Sequence, residues 1–111
     1  MSGGDIRFEP GMLEPTSHRE ILARVLRNLK QIHIQVKEFR QAIACIDRIL
    51  ILQPDQSTEL RDRGLMHRAL ECWTSAREDL ERFVALAPHA PGVLEVQSVL
   101  EELQVRTSQI H

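Results

Sequence analysis

Tyrosine is absent from these 111 residues, and the other large aromatics are one Trp and three Phe. Any core this chain builds must therefore be mostly aliphatic. Long apolar runs are missing too. The longest strongly apolar run, Ile49-Leu50-Ile51-Leu52, falls far short of the ~20 residues that span a bilayer, and no signal-peptide pattern opens the chain. Two cysteines, Cys45 and Cys72, give neither a disulfide framework nor a metal-ligand spacing. A reduced, cytoplasmic protein with no membrane contact is the expectation. Positive charge is not in excess: 14 Lys and Arg stand against 16 Asp and Glu, a formal net charge of −2. That disfavours nucleic acid as a partner, because non-specific nucleic-acid binding needs a basic stripe. The hydrophobic fraction of 42% supports one modest domain.

What the chain does have is a repeat. A slide of 34 residues, the interval from Pro54 to Pro88, lays one stretch over the next. Leu26 falls on Leu60, Arg27 on Arg61, His33 on His67, Phe39 on Trp73, Ala42 on Ala76, Arg48 on Arg82 and Leu52 on Leu86. Ile32 with Met66, Ile46 with Leu80 and Ile49 with Phe83 keep their chemistry. A period of this length marks stacked units, each too small to bury its own apolar face.

Residues 1–16 carry Gly3, Gly4, Pro10, Gly11 and Pro15 and read as a linker or extended arm, with Phe8, Met12 and Leu13 as its apolar residues. A helical domain is expected over 17–106, with repeat one at about 23–56, repeat two at 57–90, a capping helix at 91–106 and a fraying tail at 107–111. Ser17 and Glu20 have capping-box spacing. Ile21, Leu22, Val25, Leu26, Leu29, Ile32, His33 and Val36 follow at steps that predict one buried stripe. A second helix is expected over 39–52, stopped by Pro54, and a third over 57–70, capped from Asp55, Ser57 or Thr58. Gly64 leaves room there for a neighbouring helix. The fourth helix spans 73–86. In the fifth, Pro91 suits the first turn and Val93, Leu94, Val96, Val99, Leu100 and Leu103 point inward. The fold class is all-α: a superhelix of two antiparallel hairpins plus a C-terminal cap.

These landmarks resemble the tetratricopeptide repeat. With Ala23 and Ser57 as first positions, Leu26 and Leu60 take its apolar fourth position, and Lys30 and Gly64 its usually small eighth. Phe39 and Trp73 open the second helices, Ala42 and Ala76 take the alanine position, and Pro54 and Pro88 close the units. Where the repeat usually places Gly between its helices, this chain has Lys37 and Glu71. Over about residues 13–104, three segments resemble more specifically the C-terminal half of a bacterial family. They are Leu26-Arg27-Asn28-Leu29-Lys30, Arg61-Asp62-Arg63-Gly64-Leu65 and Asp79-Leu80-Glu81. That family joins a transglutaminase-like domain to tetratricopeptide repeats and is of the Sir-B type, named as invasion-gene regulators. The resemblance implies that this chain corresponds to the C-terminal part of a longer protein.

No catalytic site, cofactor site or metal site is expected. His33 and His67 sit in successive repeats without converging carboxylates or thiolates, which favours packing over metal ligation. Cys45 and Cys72 lack an assignable base, which favours structural roles. The expected partner site is a groove formed by the first helix of each pair, with Arg24, Arg27, Gln31, Arg61, Leu65 and Arg68 and with Ile34 among them. Guanidinium forks suit carboxylates, so the partner would be an acidic protein or peptide, or the chain's own upstream domain. The competing reading is a solvated face with local pairs such as Glu20 with Arg24 and Glu59 with Arg63. Two repeats fall short of a self-sufficient stack, so an apolar edge on the first helix is expected to favour a homodimer. The function expected is non-catalytic interaction between proteins or domains. The alternatives are a regulator of transcription acting through a protein partner and an accessory domain of an upstream cysteine-protease-like enzyme.

Overall fold

The structure, a computed structural model, describes residues 15–108. They form five helices: α1 (Pro15–Gln35), α2 (Phe39–Leu52), α3 (Ser57–Ala69), α4 (Trp73–Leu86) and α5 (Val93–Ser108). Helix α1 packs on α2, α3 on α4, α2 on α3, and α5 on α4. The result is two consecutive hairpins with a closing helix.

Both hairpin turns solve the same backbone problem in the same way. Lys37 and Glu71 hold φ of 61° and 62°, the left-handed region that costs an L-residue about 1–2 kcal/mol. In return, Lys37 N–H donates to Ile34 O at 3.0 Å and Glu38 N–H to His33 O at 2.8 Å. Glu71 N–H to Arg68 O at 3.0 Å and Cys72 N–H to His67 O at 2.8 Å repeat the pattern. This is the Schellman closure, normally made with Gly. In the first turn His33 Nδ1 also meets Glu38 Oε1 at 2.8 Å, a polar contact where the motif usually has an apolar one.

Helices α2 and α4 match the ranges read from the sequence, and both end because the residue before Pro54 or Pro88 is steered away from helical geometry. Their inner faces supply the core. One cluster joins Leu60, Ala76, Leu80, Phe83, Val93, Val96 and Leu103 across α3, α4 and α5. A smaller one joins Ala42, Ile46 and Met66, with Ile34, Phe39, Ile43 and Leu50 at its edge. At Gly64 the two helices α3 and α4 approach closely: a Cβ there would lie 2.7 Å from Leu80 Cγ and 3.2 Å from the Ala76 carbonyl.

Several expectations are corrected. Helix α1 begins at Pro15, so Pro15 and Thr16 are already helical; proline's fixed φ suits a first turn. The expected arm residues Phe8, Met12 and Leu13 lie outside the described residues. Gln56, not Asp55, Ser57 or Thr58, is the N-cap of α3, and it makes no side-chain cap bond. Helix α5 starts at Val93 because Gly92 holds φ of 89°, which leaves Pro91 in the turn before it. Leu94 is 77% exposed rather than inward. Thr107 is still helical, its hydroxyl donating to Leu103 O at 2.9 Å, while residues 109–111 lie outside the described part.

The largest correction concerns the stripe on α1. Ile21, Leu22, Val25, Leu29, Ile32 and Val36 are not buried; their exposures run from 42% to 60%. Ala23 and Lys30 take the fully buried positions instead, with Leu26, Arg27, His33 and Ile34 half-buried. Periodicity located an apolar face correctly, but α2 and α3 cover the neighbouring one.

Candidate protein-interaction surfaces

Lys30 occupies the position in the first hairpin that Gly64 occupies in the second. Its side chain leaves the α1–α2 contact and runs to α3. There Nζ lies 2.8 Å from Glu59 Oε1 and 3.2 Å from Asp62 Oδ2. Lys30 and Glu59 are each only 3% exposed. Arg27, one turn earlier, donates through Nε to Glu59 Oε2 at 3.1 Å and through Nη2 to Gln53 Oε1. Two cations thus satisfy one buried carboxylate, which is what makes its burial tolerable.

A second ionic cluster ties α2, α3 and α4 together. Arg63 makes a bidentate pair with Asp79, both bonds 2.8 Å, and a third bond to Asp47 Oδ1 at 2.9 Å. The Asp79 hydrogen bond holds the Arg63 guanidinium above its usual pKa despite the opposing effect of burial. His67 Nε2 stands 3.9 Å from Asp79 Oδ2, and its Nδ1 is buried without a partner. The three segments quoted from the sequence meet here. Lys30 of the first reaches Asp62 of the second, and Arg63 of the second holds Asp79 of the third. Their charged residues are chiefly the connections between helices.

The expected groove residues fall into two groups. Arg24 and Gln31 are exposed on α1 and Leu65 is exposed on α3. Arg27, Arg61 and Arg68 already have acids within the chain. Arg61 pairs with its neighbour Asp62 at 3.1 Å and stands 6.0 Å from the centre of the Phe83 ring. Arg68 bonds Glu102 of α5 at 2.7 Å. The competing local pairs are not seen among the described residues: Glu59 turns to α1, and Arg63 turns to α2 and α4. Arg68 and Arg106 hold the Glu102 carboxyl below its ordinary range, the Arg68 hydrogen bond contributing most.

Beside this inner face runs the aliphatic row of α1. Leu22, Val25 and Leu26 join Arg48, Ile51 and Leu52 of α2 around an open groove of about 370 Å³. Ile51 is 76% exposed. The sequence assigned Leu22, Val25 and Leu26 to a buried stripe, while an uncovered apolar edge was also expected on the first helix. The equivalents of the α1 row one repeat on, Glu59 and Arg63 among them, were the signal that this face is a junction between units rather than the inside of one.

Among the described residues, neither thiol has a histidine as a hydrogen-bond partner. Cys45 is buried in α2, and exposed Cys72 has Sγ 3.9 Å from the Leu70 carbonyl. Among the described residues no group of three or more His, Cys, Asp or Glu is placed to hold a metal ion. No described helix is long and apolar enough to cross a membrane.

The hairpin geometry agrees with a family model, that of the tetratricopeptide repeat, which matches residues 29–101. The chain belongs to the tetratricopeptide repeat family. Such repeats are typically non-catalytic and generally mediate contacts between proteins. Among curated relatives, a UPF0162 protein of Xylella fastidiosa is 40% identical over 112 residues, covering 98% of this chain and 40% of the relative. A UPF0162 protein of Pasteurella multocida is 32% identical over 109 residues, covering 98% and 41%. Protein SirB1 of Salmonella typhimurium is 30% identical over 79 residues, covering 71% and 29%. The chain thus spans about two fifths or less of the length of these relatives.

Proposed function

We propose that this tetratricopeptide chain is a non-catalytic interaction module that docks a protein or another domain, with α1 as the principal contact helix. The observation that supports this most is on α1 itself. A helix with six large aliphatic side chains 42–60% exposed carries an apolar patch of the kind that marks an interaction site. Along the neighbouring strip, Arg24, Gln31 and Leu65 offer a mixed polar and apolar lining for an acidic segment. Arg27, Arg61 and Arg68 stand behind them as the internally paired part of the same expected groove. The partner would be a separate protein or the remainder of a longer polypeptide such as the relatives possess. A regulatory role through such a partner is the corresponding biological proposal.

The test of the inner strip uses Arg24, because it is exposed and is not engaged in the ion pairs that hold the helices. An acidic peptide rich in Asp and Leu should perturb the amide resonances around Arg24, Gln31 and Leu65, and Arg24→Glu should weaken its binding about tenfold. Unchanged affinity in that variant removes the acidic-partner reading of the strip.

A further inference from the structure

The repeat itself says what kind of structure belongs on α1. Advancing 34 residues carries Val25 to Glu59, Leu29 to Arg63, Ile32 to Met66 and Val36 to Leu70. Those four α3 residues form the side that faces the preceding hairpin. Glu59 and Met66 are buried, Arg63 and Leu70 half-buried, and the elements that cover them include Lys30 of α1 and Asp47 of α2. The equivalent side of α1 is therefore a stacking face with no preceding helices packed on it among the described residues. Its composition also differs: α3 answers charge with charge, whereas α1 offers Leu22, Val25, Leu29, Ile32 and Val36 at alternating three- and four-residue steps. Such a seam accepts the aliphatic ridge of another helix at a shallow crossing angle.

The border of the seam gives the partner's charge. On α2, Arg40, Ala44, Arg48 and Ile51 share one edge by helical spacing. Arg48 lines the groove with its guanidinium bonded, among the described residues, only to the Ala44 carbonyl, at 3.0 Å. Neither Arg40 nor Arg48 has a carboxylate partner among the described residues, while Asp47 between them is held by Arg63. A second copy of the chain would bring the same arginines to this border, so like charge works against self-pairing.

We propose that the exposed aliphatic seam of α1 is a docking surface for a helix of another polypeptide, one with aliphatic residues at three- and four-residue spacing and carboxylates along the edge meeting Arg40 and Arg48. This rests on the interaction-module reading and deepens it. The probes are two synthetic helical peptides of about 20 residues, roughly the length of α1, with the same leucine seam and either Glu or Lys on the border. Each is titrated into the full chain and followed by amide resonances. The Glu peptide should shift residues of α1 from 21 to 36 and of α2 from 48 to 52. Leu29→Asp should cut its affinity at least tenfold, with Val25→Asp as an independent variant and circular dichroism confirming that both stay folded. Arg48→Glu should reverse the preference between the two peptides.

Equal affinity for both peptides overturns the charge assignment and with it the proposal. Self-association that Leu29→Asp abolishes would make a second copy the occupant. A tenfold or larger gain in peptide affinity on removing residues 1–14 would make that segment the occupant. Shifts confined to Arg24, Gln31 and Leu65 would sink the seam proposal and leave the module reading standing; no shift anywhere sinks both.

Discussion

Lys30 is the residue on which most depends. Its ammonium is buried against Glu59 and Asp62, and removing one partner of a buried pair costs about 3–5 kcal/mol because the other charge is stranded. Lys30→Ala should therefore lower stability by that order in urea unfolding, whereas Lys30→Met combined with Glu59→Leu should recover most of the loss. The turn residues predict the opposite sign. Lys37 and Glu71 sit in left-handed geometry, so Lys37→Gly or Glu71→Gly removes about 1–2 kcal/mol of strain. The greater freedom of glycine in the unfolded chain offsets about 0.4–1 kcal/mol of that. A net gain between zero and about 1.6 kcal/mol is expected for Gly at either site and none for Ala, read as a shift in the urea midpoint.

Among the elements, α3 and α4 depend on close approach, and α5 adds charged contacts to the apolar core it shares with them. Gly64→Ala gains about 1 kcal/mol of helix propensity, but its methyl would meet Leu80 Cγ at 2.7 Å inside the core. Overpacking of that kind costs about 1–3 kcal/mol, so a net loss is expected. Helix α5 is joined to α3 by Arg68–Glu102 and to α4 by Arg106 stacked 4.5 Å from the centre of the Trp73 ring. Glu102 has its folded pKa depressed. Its contribution is therefore present above the ordinary carboxylate range and is lost as pH falls through that range to the folded value. Amide exchange along α5 should quicken on acidification, and Glu102→Gln should flatten that dependence. This scale is also where the sequence was most legible. The apolar steps of α2 and α4, with Pro54 and Pro88 behind them, define two helices almost to the residue, because a half-buried helix repeats its burial in its spelling. Helix α1 was misread because its aliphatic stripe lies beside, not on, the face that α2 and α3 cover. Spacing reports an apolar face, not what covers it. The pairing of Lys30 with Glu59 was invisible for a related reason: each looks like a surface residue until the fold closes the 29-residue gap between them.

At the scale of the whole molecule, the two hairpins and α5 make one stack with unequal ends. Helix α5 covers the far end, and α4 meets it with Phe83 and Leu80 fully buried. The near end presents aliphatic α1, joined to α3 by the ion pairs of Arg27 and Lys30 and by Ile34 at the edge of the Met66 cluster. That asymmetry is what makes the tetratricopeptide chain an interaction module in this account, and it can be measured without knowing the partner. Leu29→Cys places a thiol in the seam; Cys72→Ser removes the exposed native thiol, and Cys45 is buried. The alkylation rate at position 29 is then compared between the purified chain and the protein in its cell of origin. The account predicts fast labelling in the purified chain and at least tenfold protection in the cell, with an exposed control at position 94 labelled equally in both. Equal labelling of position 29 in the two settings would contradict it.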